Sequence, residues 1–140
     1  VDYSHTPDAL EKALISLREY CRGQLYCVFG CGGDRDTGKR AQMGAVAEAH
    51  ADKIIVTNDN PRSEDPEKIA EDILAGIKDR SSVSVRLDRS DAITNTCLAA
   101  SQGDVILIAG KGHETTQEIG TTVYPFSDRE LARRLTEGDA

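Results

Sequence analysis

The chain has 140 residues, 39% of them hydrophobic, with 12 glycines and 4 prolines, which suits one compact folded domain rather than disorder or a repeat fibre. Asp and Glu total 24 against 17 Lys and Arg, a formal net charge of −7. An acidic surface repels phosphate backbones and anionic lipid, so no nucleic-acid or membrane partner is expected.

The longest unbroken apolar run, Val105 to Ala109, is far short of a membrane span. No signal-like leader opens the sequence, and a cytoplasmic setting is expected. The first residue is Val1 rather than Met, inside a strand-like Val1-Asp2-Tyr3, so a piece of a longer protein is expected. The cysteines, Cys21, Cys27, Cys31 and Cys97, contain no C-x-x-C pair and read as free thiols in a reducing compartment. Cys31 stands in a glycine-rich loop with no His or second Cys at ligand spacing, so neither a metal nor a nucleophilic role is assigned to it.

In chain order, Thr6-Pro7-Asp8 caps a first helix, along which Leu10, Ala13, Leu14, Leu17 and Cys21 recur on one face. Leu25 to Phe29 reads as a buried strand, followed by the loop Gly30 to Gly38 and a helix from about Lys39 to His50. Lys53 to Thr57 is the next strand, and Asn58 to Glu64 its loop. Asp65 and Pro66 then open a helix with Ile69, Ile73, Leu74 and Ile77 on its inner stripe. Val83 to Leu87 is a strand, Asp91 to Ala100 a helix, and Asp104 to Ala109 the most apolar strand. Gly110-Lys111-Gly112-His113-Glu114 leaves it, a hairpin follows around Gly120, and Ser127-Asp128-Arg129-Glu130 is a capping box for a last helix. Alternating strands and helices with short loops predict an α/β, Rossmann-like fold. Its sheet should be mostly parallel, covered by helices on both faces, with one antiparallel edge strand. Ligands bind such sheets beyond the carboxyl ends of the strands. The Gly30, Asp59 and Gly110 loops all leave such ends.

Gly33 to Arg40 lies one residue from a phosphate-binding P-loop, but Arg40 stands where Ser or Thr should reach magnesium, and Asp34 and Asp36 would face the phosphates. A dinucleotide fingerprint fails because Arg35 occupies the third glycine position. The glycines are instead expected to permit a tight turn that presents Arg35. Asp59-Asn60-Pro61-Arg62 has two open readings. One is a surface turn with a local ion pair; the other is a zwitterion site, in which a carboxylate holds an ammonium and an Arg fork grips a carboxylate. In Gly110 to Glu114, Glu114 could hold a substrate ammonium, while His113 reads equally well as structural or catalytic. Gln117 replaces the second histidine of H-E-x-x-H, which excludes a zinc protease. His50 reads as the solvent-facing end of its helix. Asp2 and His5 lack the local capping reason that Thr6 and Pro7 have.

Four ordered runs, Asp2 to Leu10, Val28 to Asp36, Asp59 to Arg62 and Gly110 to Glu114, closely resemble the C-terminal domain of the Mur ligases. The likeness spans essentially the whole chain. Within that family they resemble the members that add meso-diaminopimelate to UDP-N-acetylmuramoyl-L-alanyl-D-glutamate in peptidoglycan synthesis. The resemblance implies that residues 1–140 are one amino-acid-binding domain of a three-domain, ATP-dependent ligase working through an acyl phosphate. It further implies that ATP and Mg2+ are bound mainly by a central domain absent here, so the chain alone should be an inactive monomer. Carried over by motif, Arg35, Asp59, Asn60, Pro61, Arg62, Gly110 and Glu114 would bind diaminopimelate. Asp2 and His5 would belong to a shared ATP site, and no residue here is assigned a catalytic or metal role. Ser4 replaces an alanine commonly found beside Asp2. Lysine differs from diaminopimelate by one carboxylate and would leave Arg62 facing no anion, which argues for diaminopimelate. The alternative reading is a stand-alone amino-acid-binding module of the same fold.

Overall fold

The computed structural model describes residues 1–137. Its elements run α1 (Pro7–Arg18), β1 (Leu25–Phe29), α2 (Gly38–His50), β2 (Lys53–Val56), α3 (Pro66–Leu74), β3 (Val83–Val85) and α4 (Arg89–Ala99). They continue with β4 (Val105–Ile108), β5 (Thr116–Ile119), β6 (Thr122–Pro125) and α5 (Asp128–Glu137). No helix among the described residues is long and apolar enough to cross a membrane.

Local chemistry explains most helix starts. The Thr6 side chain accepts from the Ala9 amide at 3.2 Å ahead of Pro7, and Asp65 accepts from Glu67 at 3.0 Å ahead of Pro66. Asp88 accepts from the Asp91 amide at 3.0 Å, so α4 begins at Arg89, two residues before the position expected from sequence. Thr37 makes no side-chain cap on α2; Asp36 instead accepts from the Gly38 amide at 2.8 Å. The Ser127 hydroxyl accepts from the Glu130 amide at 3.2 Å, the helix-side half of the expected capping box.

Strands β1 to β4 form a parallel sheet in the order β3-β2-β1-β4. Side chains alternate across it. Leu25, Cys27 and Phe29 of β1 face Leu10, Leu14, Met43, Ala47, Ile69 and Ile73 of the first three helices. Val28 and Ile108 face Ala92, Ile93 and Leu131 of α4 and α5 on the other side. Helices therefore cover both faces, as the strand-helix alternation predicts.

The antiparallel strands stand apart from this sheet. β5 and β6 form a two-stranded sheet of their own, because the chain turns at Gly110 and Gly112, both with positive φ, away from the edge of β4. That edge is occupied by Asp2. Its amide donates to the Ile108 carbonyl at 2.9 Å and its carbonyl accepts from the Gly110 amide at 3.0 Å. The strand expected at Val1-Asp2-Tyr3 is thus a single parallel bridge to Ala109.

Order along the sheet fixes where a ligand can sit. The chain builds β1, β2 and β3 outward in one direction, then returns to place β4 on the opposite side of β1. The loops after β1 and β4 diverge there and leave a crevice at the carboxyl end.

Candidate functional site

Three loops close around that crevice: the one after β1, the one after β2, and the one after β4. Glycines let the first two touch. A Cβ on Gly33 would lie 1.8 Å from the Pro61 carbonyl oxygen, and one on Gly30 would lie 2.0 Å from that of Thr57. The Gly33 amide donates to the Asn60 carbonyl at 2.8 Å. These glycines are expected to permit a tight turn that presents Arg35. The left-handed residue is Asp34 (φ 56), while Gly30 and Gly33 serve close approach of backbones. Asp34 accepts from the Ser63 hydroxyl at 2.7 Å, which ties the loop tips together.

Asp59-Asn60-Pro61-Arg62 is held from several sides. Asn60 and Pro61 are buried, and Asp59 and Arg62 half-buried. Arg62 has φ 54, and its backbone forms a parallel bridge to Ile119 of β5. The Gln117 side chain donates to the Asp59 carbonyl at 2.8 Å, and the Glu118 amide donates to Asn60 Oδ1 at 2.9 Å. A two-stranded hairpin is marginal alone; here it is docked on this loop. Burial pushes the Asp59 carboxyl above its usual range, while nearby Arg89 and Lys111 oppose the shift.

A cavity of about 370 Å³ opens between the loops, lined by Tyr3, His5, Gly32, Arg35, Lys39, Asp59, Asn60, Arg62, Gly110 and Glu114. Arg35, Asp59, Asn60, Arg62, Gly110, Glu114 and His5, all chosen from sequence, meet there. Pro61 does not line it; its carbonyl packs on Gly33. Asp2 does not line it but sits beside Ala13 and Leu17, and its carboxylate takes the Ser4 hydroxyl. His113 is exposed, its ring 6.2 Å from that of Tyr3, and does not line the cavity.

Two details alter the sequence reading. Arg62 is not left without an anion when the cavity lacks one, because its Nη2 donates to Glu118 Oε2 at 3.4 Å and its Nη1 to the Gly33 carbonyl at 3.1 Å. His50 is not simply solvent-facing, since its Nε2 lies 3.1 Å from Glu11 Oε2. No lining role is read from sequence for Tyr3, Gly32 and Lys39, nor a bracing role for Gln117 and Glu118. Nothing local marks them, because their roles come from chain segments that meet only on folding.

Residues 1–112 match the family described as Mur ligase, glutamate ligase domain. The chain belongs to the Mur ligase family. Among relatives, the protein named UDP-N-acetylmuramoyl-L-alanyl-D-glutamate--2,6-diaminopimelate ligase from Coxiella burnetii is 63% identical over 134 residues, covering 96% of this chain and 27% of that protein. The protein of the same name from Haemophilus influenzae (strain ATCC 51907 / DSM 11121 / KW20 / Rd) is 59% identical over 132 residues, covering 94% and 27%. A solved structure of a ligase of that name superimposes with a TM-score of 0.92 at 45% identity, over 98% of this chain and 28% of that one. The chain thus spans about a quarter of the length of the Mur ligases it matches.

The Mur ligase segment Gly33 to Arg40 does not fit a triphosphate. Arg40 is fully buried and engages Glu64, Asp72 and the Gly32 carbonyl, and Asp36 is spent on capping α2. Among the described residues no group of three or more His, Cys, Asp or Glu stands together as a metal set.

Proposed function

We propose that this chain is the amino-acid-binding domain of a three-domain, ATP-dependent ligase that joins meso-diaminopimelate to UDP-N-acetylmuramoyl-L-alanyl-D-glutamate. The observation that carries the reading is the charge set of one cavity: guanidinia of Arg35 and Arg62 with carboxylates of Asp59 and Glu114. Diaminopimelate has a carboxylate and an ammonium at each of its two ends, so two cations and two anions are the complement it needs. Asn60 and the Gly110 backbone complete the contacts, and His5, with Asp2 on the adjoining face, belongs to the ATP site shared with another domain. The relatives that match 94–96% of the chain carry that ligase's name, and no specific observation favours the stand-alone module.

ATP and Mg2+, which the other domains would mainly hold, would supply the activation of the glutamyl carboxylate as an acyl phosphate. The residues of this chain contribute position. They hold the incoming amino acid at both ends so that its free amine is presented to the activated carbonyl, which converts an encounter into a near-attack geometry. Reliance on ATP and a UDP-linked precursor supports a cytoplasmic setting for the reaction.

In the complete protein, Arg62→Ala should raise the KM for meso-diaminopimelate while leaving those for ATP and the UDP-substrate within about twofold. A lost charge-assisted hydrogen bond is worth roughly 1.5–3 kcal/mol, and partial pairing with solvent-accessible Glu118 reduces that toward the lower end, about tenfold in KM. Equal efficiency with lysine and meso-diaminopimelate in the unmutated enzyme would refute the assignment.

A further inference from the structure

Lys111 is the one fully buried lysine among the described residues. It stands between Gly110 (φ 116) and Gly112 (φ 57), whose left-handed backbones turn the chain at the end of β4. Neither position tolerates a side chain: a Cβ on Gly110 would lie 2.5 Å from Asp59 Oδ2, and one on Gly112 would lie 2.8 Å from the Cβ of Tyr3. The lysine between them reaches beneath the Asp59 loop. Its Nζ donates to Asn60 Oδ1 at 2.8 Å, approaches Glu114 Oε1 at 3.4 Å, and lies 3.8 Å from Asp59 Oδ1. A buried ammonium is costly unless partnered, and all three partners line the cavity.

The Asn60 amide receives two donors on one atom, Lys111 Nζ at 2.8 Å and the Glu118 amide at 2.9 Å. Neither donor can accept, so the shared atom must be oxygen. That leaves Nδ2 without a partner among the described residues, on a side chain that borders the cavity. We propose that Lys111 is a positioning residue for amino-acid binding. It clamps Asn60 so that its amide nitrogen is offered to a substrate carboxylate, and it ties Glu114 and Asp59 to the same point. This inference rests on the cavity being the amino-acid site.

The test uses the complete protein, with KM measured separately for meso-diaminopimelate, ATP and the UDP-substrate. Lys111→Met should raise the KM for meso-diaminopimelate by roughly tenfold or more and leave the other two within about twofold. A role in stability alone would lower the melting temperature and the active fraction but not that KM, and this result would overturn the proposal. Asn60→Asp keeps the acceptor for both donors and replaces only the outward Nδ2 with an anion. It should therefore fold at least as stably as the parent and still lose affinity for meso-diaminopimelate by about a hundredfold; an unchanged KM overturns the proposal even where Lys111→Met fails to fold. In an Asn60→Ala background, Lys111→Met should add much less than it does alone, whereas full additivity counts against action through Asn60. Arg62→Ala separates the two claims. If it leaves the amino-acid KM unmoved, the site itself is misassigned; if it raises that KM and Lys111→Met does not, only the positioning role fails.

Discussion

At Gly33 a methyl group would have to lie 1.8 Å from one backbone oxygen and 2.6 Å from its carbon, both of Pro61. Backbone cannot swing aside as a side chain can, so Gly33→Ala must push the β1 and β2 loops apart. Overpacking of this kind costs about 1–3 kcal/mol. The variant should show that loss in urea unfolding, together with a raised KM for the amino acid in the complete protein. Gly38→Ala is the matched control, because its Cβ would meet only the Asp36 carboxylate, at 3.2 Å, and a side chain can give. Equal effects of the two substitutions would show that close approach at Gly33 is unimportant. The requirement for glycine was legible in the motif; its reason was not, since a turn and a contact between two loops ask for the same residue.

At the scale of elements, α2, α3 and the loop between β2 and α3 are joined by one buried side chain. Arg40 donates to both Glu64 oxygens, to Asp72 at 2.9 Å and to the Gly32 carbonyl at 3.1 Å. Hydrogen bonds from Arg40 first, and from the Asp34 amide second, hold the Glu64 carboxyl at about 2, below its ordinary 4.5. Lys68 and then Arg40 lower that of Asp72. Carboxyls whose pKa falls on folding favour the native state above their unfolded values, and that contribution disappears as pH falls through the folded ones. Stability should therefore decline between about pH 4.5 and pH 2, and Glu64→Gln should flatten that decline in urea midpoints measured across the interval. An equally steep decline in Glu64→Gln would rule out this origin. Arg40→Met should cost about 2–4 kcal/mol, somewhat less than a fully buried pair, because both carboxylates keep some water. From sequence Arg40 served only to reject a P-loop; its partners lie 24 and 32 residues away, beyond any local pattern.

Taken as a whole, the molecule buries two of its thiols in the core on one sheet face. Burial pushes Cys27 and Cys31 up to about 12, whereas Cys21 and Cys97 are only partly covered. Thiol labelling near pH 8 should modify the latter pair in the native protein. Cys27 and Cys31 should react only on global opening, and therefore at closely similar rates. Fast native labelling of Cys31 would show that the glycine-rich loop opens independently of the core. The sequence left Cys31 as a loop residue without a role; the fold turns it inward, with its Sγ 3.6 Å from the Met43 sulfur.

What the sequence determined by itself was what short-range physics controls. Periodicity located the first four helices and the four strands of the parallel sheet to within a few residues, and Thr6, Asp65, Pro66 and Ser127 marked helix starts because a cap bonds only two or three residues ahead. Strand-helix alternation dictated a parallel sheet, since parallel strands need crossovers. The motif loops could be assigned to strand ends for the same reason. Tertiary structure alone decided the strand order, and with it the crevice between β1 and β4 where those loops meet. It also decided that the β5–β6 hairpin leaves the sheet edge to brace the Asp59 loop, and that Glu118 pairs with Arg62. Most of all it decided the place of Lys111, which as a letter between two glycines is only a cation. Buried beneath Asn60, it is a fixed charge, because an ammonium out of water must keep its partners.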